Sequence, residues 1–230
     1  MNNEATPAYL VAGSRPWCRV VFDETLSALP GRWIYVTPED DLAALCEAHH
    51  PRYVFFLHWS LKVPANVIER WECVCFHMTD VPYGRGGSPL QNLIVRGHRE
   101  TKLTALRMTE GIDAGPVYLK EPLLLDGSAE EIFLRANRLA AQMIQRIIAE
   151  PIIPSPQKGE VTVFKRRKPE ESLLPESASL AQAHDLIRML DAEGYPHAFI
   201  NHGGLRLEFR RSTHHEDRVV AEVTIRPCKP

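Results

Sequence analysis

The sequence predicts an α/β protein with a mostly parallel β-sheet, and three observations support that class. Short β-rich runs alternate with helical patterns through the first half of the chain, which is the rhythm of βαβ units. The 230 residues are 44% hydrophobic and 24% charged, as in globular proteins with a sizeable core. A long amphipathic pattern over 128–149 follows the last strands of this region. We therefore expect a Rossmann-like sheet with helices on both faces and a small C-terminal α+β appendage.

Four short apolar runs predict the first strands, and helical patterns separate them. The connecting helices are predicted over 39–50, where Leu42, Leu45 and Cys46 recur at helical spacing, and over 64–71. Parallel strands need crossover connections of this kind. The predicted strands cover Ala8 to Ala12, Arg32 to Val36, Arg52 to Leu57 and Cys73 to His77.

The next region predicts two more strands between two helices. Gly97 closes the first of these helices. Ser128, with Glu131 three residues later, forms a capping box at the start of the second. The predicted elements are a helix from Pro89 to Arg96, strands from Lys102 to Met108 and from Val117 to Leu125, and a helix from Ser128 to Ala149.

A change of composition marks a predicted boundary. Residues 151–177 carry five of the prolines and the basic cluster Lys165 to Lys168, which is typical of a connector. We predict a main domain over 1–150, a linker over 151–177 and a small subdomain over 178–230. That subdomain is predicted to hold a helix from Ser179 to Ala192 and strands near 196–201, 204–210 and 218–226.

Charge and cysteine content limit the partners and the compartment. The net charge of −2 gives no general attraction to nucleic acid or an anionic membrane, and no apolar stretch approaches the roughly 20 residues of a membrane span. Five cysteines, an odd number without the spacing of a disulfide scaffold, favour the cytoplasm. Cys73 and Cys75 are interpreted as buried free thiols, and no metal site is predicted.

One segment carries the chemistry. His77 follows an apolar run at the predicted end of a strand, and a loop rich in glycine, proline and arginine comes after it, reading HMTDVPYGRGGSP over 77–89. Asp113 stands 36 residues after His77 in its own Gly-flanked turn. A free imidazole titrates near pH ~6.5 and can accept a proton from an attacking amine, and a nearby carboxylate can fix its tautomer and stabilise the imidazolium. This pattern predicts acyl transfer to an amine.

The same segment resembles the H-x-S-L-L-P-x-Y-R-G-G-S-P signature of the folate-dependent formyltransferases, which include methionyl-tRNA formyltransferase and the amino-sugar N-formyltransferases. Thr79 replaces the serine of that signature, and Gly84 stands where many relatives carry an aromatic residue. The later L-D-x-G turn and the His-to-Asp interval also match. The matching positions are His77, Pro82, Arg85, Gly86 and Pro89, followed by Ile112, Asp113 and Gly115.

The resemblance implies roles for particular residues. The formyl donor would be 10-formyltetrahydrofolate, with His77 and Asp113 as the catalytic pair in a catalytic domain over 1–150. Relatives usually carry an asparagine two residues before the histidine to hold the formyl oxygen, and Cys75 stands there instead. Because a thiol is a weak donor, three outcomes stay open. Cys75 suffices, another donor such as Thr79, Asn92 or a backbone N–H replaces it, or the chain is a catalytically silent folate-binding module.

The cofactor-binding residues implied by the resemblance fall in three loops. The loop after the third strand would help to form the folate pocket together with the loop before Asp113. Trp59 fits either the pterin site or a cover for the core, and Arg85 could pair with a phosphate or carboxylate, while glycines allow close backbone approach. The residues are Leu57, His58 and Trp59, then Arg85, Gly86 and Gly87, then Thr109, Gly111 and Ile112.

The acceptor is predicted by elimination within the family. The loop RGGSP resembles the methionyl-tRNA and sugar branches, while the tail after 175 is shorter than a tRNA-binding domain. Residues 151–230 hold 12 Lys and Arg against 11 Asp and Glu, a net of +1. The best candidate is therefore a nucleotide-linked amino sugar, and we expect neither a membrane nor a nucleic acid as partner. Methionyl-tRNA or an amino acid is the alternative acceptor.

Overall fold

The computed structural model describes residues 6–228 and confirms the α/β class with a mostly parallel sheet. Residues 1–5 of the predicted main domain and residues 229–230 of the predicted C-terminal subdomain lie outside the described residues. The described chain forms two compact units. The first comprises 6–85, 102–123 and 134–163, and the second comprises 86–101, 124–133 and 164–228. The sequence-based domain limits at 150 and 178 stay a prediction.

Six strands form the large sheet in the order β2-β1-β3-β4-β6-β7. β1 pairs in parallel with β2 and β3, and β3 pairs in parallel with β4, whereas β4 and β6 are antiparallel. The strands are β1 (Ala8–Gly13), β2 (Arg32–Val36), β3 (Tyr53–Leu57), β4 (Cys73–His77), β6 (Glu100–Arg107) and β7 (Val117–Leu124). Two-residue strands β5 (Arg85–Gly86) and β8 (Val163–Phe164) pair separately.

Helices connect these strands. α2 (Leu42–His49) begins where the Asp41 side chain accepts a hydrogen bond from the Ala44 N–H at 3.0 Å. The other helices are α1 (Pro16–Glu24), α3 (Ala65–Arg70), α4 (Pro89–Val95), α5 (Ala129–Ala149) and α6 (Leu180–Arg188). Short 3₁₀ turns occupy Leu26–Ala28 and Pro169–Ser172. No helix within 6–228 is long and apolar enough to cross a bilayer.

A core of buried side chains lies on one face of the large sheet. Leu10, Val54 and Phe56 come from β1 and β3, and Leu42 and Cys46 come from α2. Burying such side chains contributes about 1.5–3 kcal/mol each before entropy is counted. This core fixes β3 and β4, so the residues at the ends of those strands have defined positions.

In the second unit, a three-stranded antiparallel sheet has the order β11-β10-β9. Its strands are β9 (Ala198–His202), β10 (Leu205–His214) and β11 (Val219–Pro227).

The predicted capping box before α5 is present, because the Ser128 N–H donates to the Glu131 carboxylate at 2.7 Å and the Glu131 N–H donates to the Ser128 hydroxyl at 3.3 Å. The predicted helix over 179–192 is shorter, since α6 ends at Arg188.

All five cysteines are free, as predicted. No element is predicted between Gly13 and Arg32, where the structure has α1. This helix begins with Pro16, a residue favoured at the first helical position, but its N-cap residue Arg15 has no side-chain acceptor for the backbone N–H groups of the first turn. It therefore lacks the capping signal that marks α2, α5 and α6.

Candidate active site

His77 ends β4 in the first unit, and its side chain is 9% exposed. The strand pairs with β3 on one side and β6 on the other, with His77 opposite Thr104. The backbone of His77 is therefore held by a buried region of the sheet. A position at the carboxyl end of a parallel strand is where α/β sheets bind ligands.

The two ring nitrogens of His77 have different partners. Nε2 lies 2.8 Å from the Gly84 carbonyl oxygen, and Nδ1 lies 3.5 Å from Oδ2 of Asp113. Because a carbonyl only accepts, this contact favours the tautomer with the hydrogen on Nε2. The sequence predicts that Asp113 fixes the tautomer, and the structure adds a shorter contact, from the Gly84 carbonyl to the other ring nitrogen. Nδ1 is then the atom that accepts a proton, and the Asp113 carboxylate faces it.

Buried hydroxyl groups hold the loop that follows His77. The Thr104 hydroxyl donates to the Thr79 carbonyl at 2.7 Å, and both residues are fully buried. The Thr79 hydroxyl donates to the Gly84 carbonyl at 3.3 Å. Asp80, further along the loop, forms ion pairs with Lys102 and Lys120. The Gly84 oxygen beside the imidazole is therefore fixed by contacts within the same unit.

Asp113 lies in a turn with unusual backbone geometry. Its φ is +50°, a left-handed conformation that aspartate tolerates better than most residues. A Cβ at Gly115 would lie 1.8 Å from the Arg107 carbonyl oxygen, so only glycine fits there. The carboxylate side chain is 16% exposed. The turn thus directs one carboxylate towards His77 and requires a glycine two residues later.

Arg85 and the Asp113 turn share one partner, Gln157. The Gln157 side-chain oxygen accepts from Arg85 Nε at 3.1 Å and from Nη2 at 2.8 Å. Its Nε2 group donates to the carbonyls of Asp113 and Gly115, both at 2.8 Å. Since an amide is neutral, this contact orients the guanidinium of Arg85 and leaves its charge in place.

Cys75 occupies the position of the family's asparagine and is partly buried. Burial raises the pKa of its thiol, and the negative charge of Asp113 raises that pKa further. The sulfur is therefore a neutral S–H group at neutral pH. A neutral thiol can donate a weak hydrogen bond to an oxyanion, and it is a poor nucleophile.

The predicted residues after β3 lie in the first unit beside the core. Leu57 is 1% exposed, and its carbonyl accepts from the Cys18 thiol at 3.2 Å. His58 has a φ of +48°, and burial together with the charge of Arg15 lowers its pKa to about 4. Trp59 packs edge-on against Phe56, with ring centroids 6.0 Å apart. These contacts describe Trp59 as a cover for the core, and its place in the pterin site stays a prediction.

The loop before Asp113 is exposed. Thr109, Gly111 and Ile112 all lie at the surface, and the Ile112 side chain is 77% exposed. The Thr109 hydroxyl donates to the Gly111 carbonyl at 3.4 Å. An apolar side chain this exposed, one residue before Asp113, is available to contact the ring of a ligand.

Gly86 and Gly87 belong to the second unit. Gly86 has a φ of +98°, a conformation that favours glycine. A Cβ on Gly87 would lie 2.6 Å from Cα of Arg166, so the chain itself occupies that space. The side chain of Asn92 donates to the carbonyls of Gly87 and Lys165, both at 3.0 Å. Asn92 therefore holds the backbone of this loop. Ligand binding by the two glycines stays a prediction.

Sequence reasoning missed two contributors, the Gly84 carbonyl and Gln157. A backbone carbonyl leaves no signal in residue type, and Gln157 lies in a segment predicted as a linker. Among residues 6–228, no group of three or more His, Cys, Asp or Glu side chains is placed to hold a metal ion.

Comparisons with known proteins indicate one family through two matches and a shared fold through a third. Residues 169–226 match the family described as methionyl-tRNA formyltransferase, C-terminal domain. A solved structure of methionyl-tRNA formyltransferase from Clostridium thermocellum is 39% identical, with a TM-score of 0.88, over 96% of this chain and 99% of that chain. HypX from Aquifex aeolicus, solved in complex with tetrahydrofolic acid, is 16% identical with a TM-score of 0.79, over 98% of this chain and 45% of that chain.

A curated relative matches the chain over a shorter region. Methionyl-tRNA formyltransferase from Sinorhizobium medicae is 31% identical over 142 residues, which cover 57% of this chain and 45% of the relative. The chain thus spans about half the length of the curated relatives that it matches.

Proposed function

Since the chain belongs to the formyltransferase family, we propose that it is an N-formyltransferase. It moves a formyl group from 10-formyltetrahydrofolate to the amine of a small acceptor. The observation that carries the proposal is the His77–Asp113 pair, in which Nδ1 of a buried imidazole faces a carboxylate at 3.5 Å. Proton transfer by a positioned imidazole accelerates reactions of this kind by about 10²–10⁴-fold.

The chemistry follows from the order of bonds. The neutral amine attacks the formyl carbon, a new C–N bond forms, and the formyl oxygen becomes negative. His77 takes the surplus amine proton at Nδ1, and the Asp113 carboxylate stabilises the imidazolium. The bond from the formyl carbon to N10 of the folate then breaks, and His77 returns the proton to that nitrogen. No proton or electron is gained or lost overall.

Cys75 is the proposed donor to the formyl oxygen. It lies two residues before His77 on the same strand, so both side chains leave the same face of the sheet. Its raised pKa keeps the hydrogen on the sulfur. A thiol is a weaker donor than an amide N–H, so we expect slower transfer than an asparagine would support.

The donor site is proposed around the loops that flank the catalytic pair. His58 and Trp59 follow β3, and Ile112 precedes Asp113, all within the first unit. The pKa of His58, lowered to about 4, keeps that ring neutral at neutral pH, and a neutral aromatic group suits a pterin. Arg85 would contribute its charge to an anionic group of a substrate.

A nucleotide-linked amino sugar is the acceptor that we propose. Binding a tRNA requires cations that are available to phosphates. The guanidinium groups of the C-terminal sheet, and that of Arg218 in the turn between β10 and β11, are instead paired with carboxylates of the same unit, which favours a small acceptor. The pairs are Arg206 and Arg226 with Glu208, Arg210 with Asp191, Arg211 with Glu222, and Arg218 with Asp217.

Methionyl-tRNA is the second candidate acceptor. The relatives from Sinorhizobium medicae and Clostridium thermocellum are both methionyl-tRNA formyltransferases, and they favour this acceptor together with the family matched by residues 169–226. We place either reaction in the cytoplasm, because five free thiols suit a reducing compartment.

The test is a transfer assay with separate acceptors. Purified protein is incubated with 10-formyltetrahydrofolate and, in separate reactions, with amino-sugar nucleotides, amino acids and charged initiator tRNA. We expect an amino-sugar nucleotide to become heavier by one formyl group, and His77→Gln is the inactive control. Transfer to methionyl-tRNA alone would select the second acceptor. Folate binding without transfer to any amine would overturn the enzymatic proposal in favour of a silent folate-binding module.

A further inference from the structure

Gln157 lies outside the predicted catalytic domain, yet its side chain contacts that domain's key turn. It belongs to 151–177, the segment predicted as a linker, and it is partly buried. Its amide makes four hydrogen bonds, two from Arg85 and two to the carbonyls of Asp113 and Gly115. All of these residues belong to the first unit.

The contacts permit one orientation of the amide. The oxygen has two lone pairs, and the nitrogen has two hydrogens. Arg85 only donates and the two carbonyls only accept, so the oxygen must face Arg85. Rotating the amide by half a turn would oppose donors to donors and acceptors to acceptors. Arg85 therefore fixes the direction in which Gln157 presents its N–H groups to the turn.

The Asp113 turn is exposed, and its base is closed by a hydrogen bond from the Arg107 N–H to the Pro116 carbonyl at 2.9 Å. Residues 109–112 are exposed, Asp113 has a φ of +50°, and Ala114 is exposed. Within the turn, the Ala114 N–H donates to the Gly111 carbonyl at a long 3.3 Å. An exposed turn in a sparsely populated conformation persists when its surroundings hold it. The Gln157 amide holds both carbonyls that flank Ala114.

The segment that carries Gln157 is itself anchored. The backbones of Ser155 and Val117 exchange two hydrogen bonds of 2.7 and 2.9 Å. Further along, the Thr162 N–H donates to the Pro82 carbonyl at 3.1 Å, and the Arg85 N–H donates to the Thr162 carbonyl at 2.9 Å. Residues 155–162 therefore contact the loop after His77 and the chain after Asp113.

We propose that Gln157 is a positioning residue that sets the approach of the Asp113 carboxylate to Nδ1 of His77. It acts through Asp113 and has no role in bond making. Its effect on rate rests on the proposed function, whereas its effect on the turn does not. A displacement of about 1 Å at a catalytic group can cost on the order of a hundredfold in rate. We expect Gln157→Ala to lower kcat by about tenfold to a hundredfold. Any rise in KM would come from the released Arg85, and it should be absent in Gln157→Glu, which keeps the acceptor for Arg85.

The main test combines Gln157→Ala with Asp113→Asn. If Gln157 acts through the Asp113 carboxylate, its removal should have little further effect once that carboxylate is an amide, since residues that act as a unit are not additive. We expect Gln157→Ala to slow the Asp113→Asn protein by less than about twofold. A full tenfold or larger loss in that background would overturn the proposal. Lys158→Ala, at the exposed next residue, should leave kcat unchanged.

A second variant guards against a folding defect. Gln157→Glu keeps an acceptor for Arg85 and loses both donors to the turn, so its Tm should match the wild type while kcat falls at least as far as in Gln157→Ala. A Gln157→Glu protein with wild-type kcat would contradict the proposal.

Hydrogen exchange decides the structural part without an activity assay. Amide exchange of the peptide covering 109–116 should accelerate in Gln157→Ala and stay unchanged in Lys158→Ala. If the wild-type protein transfers no formyl group, the proposed function fails and this measurement still tests the positioning role. Unchanged exchange in Gln157→Ala would overturn that role.

Discussion

The two halves of the candidate site are held by different means. His77 ends a buried strand, and the β3 residues that pair with this strand, Phe55 and Phe56, are 0% and 2% exposed. Asp113 lies in a turn whose preceding residue, Ile112, is 77% exposed. The first half is fixed by a core and a sheet, whereas the second is held by two hydrogen bonds from Gln157 and by backbone hydrogen bonds of the turn itself.

The comparison shows that the two residues of the proposed catalytic pair are held by interactions of different strength. A strand end resists displacement because moving it would break many buried contacts at once. The turn can move at the cost of a few partly exposed hydrogen bonds, each contributing about 0.5–1.5 kcal/mol. We therefore expect substitutions near the strand ends to change stability, and substitutions at the turn to change rate.

The largest expected effect is at the turn. Asp113→Asn removes the charge, and asparagine also accepts a φ of +50°, so the backbone should keep its shape. Transfer should slow by about a thousandfold, because the imidazolium loses its carboxylate. Steady-state kinetics measure the rate, and thermal unfolding should give a Tm near that of the wild type. A large fall in Tm would contradict the distinction between the halves.

The next effect concerns acid stability at the strand end. The pKa of His58 is about 4 in the folded protein and ~6.5 in an unfolded chain. Below pH ~6.5 the unfolded state binds a proton that the folded state does not. The free energy of unfolding is therefore highest above that pH and falls towards pH 4, by up to about 3 kcal/mol. Urea unfolding at about pH 7 and about pH 4.5 should show a smaller loss for His58→Gln. An equal loss in both proteins would exclude His58 as the cause, and exposed His202→Gln is the control.

Thr104→Val tests the buried support of the loop after His77. The substitution keeps the shape and removes the hydroxyl that donates to the Thr79 carbonyl at 2.7 Å. A buried carbonyl left without its donor costs about 1–3 kcal/mol of unfolding free energy. Denaturant unfolding measures that loss, and exposed Thr224→Val on β11 should stay within about 0.5 kcal/mol. A wild-type free energy for Thr104→Val would mean that this hydrogen bond does not support the strand end.

The smallest expected effect is at Cys75. Cys75→Asn supplies a stronger donor in place of the thiol and should raise kcat about tenfold. Cys75→Ala removes the donor and should lower kcat. The loss of a single oxyanion donor changes kcat by about tenfold or more. Both rates come from the same transfer assay. If neither substitution changes kcat, another group faces the formyl oxygen.

The sequence predicts the buried strands of this protein better than it predicts how they are arranged. The apolar runs at Cys73–His77 and Ala8–Gly13 mark buried strands, and the observed bounds match the predicted ones within a residue. These are local patterns set by burial. The antiparallel direction of β6 beside β4 was not predicted, because strand direction depends on connections that local patterns do not record.

In the candidate site, the two central residues were predictable from the sequence and the groups that orient them were not. A motif with a fixed interval predicted which histidine and which aspartate to examine, and the structure brings their side chains within 3.5 Å. The partners that orient them come from a backbone carbonyl at Gly84 and from an amide 44 residues beyond Asp113. Neither has a recognisable pattern, since a carbonyl is common to all residues and a single glutamine in a proline-rich segment is unremarkable.

The anchoring of residues 155–162 has a practical consequence for dissecting the chain. A fragment truncated after residue 150 would retain all six strands of the large sheet and lose Ser155, Gln157 and Thr162 together. Its circular dichroism could look normal while its turnover collapsed. Minimal versions of this protein should therefore extend at least through β8.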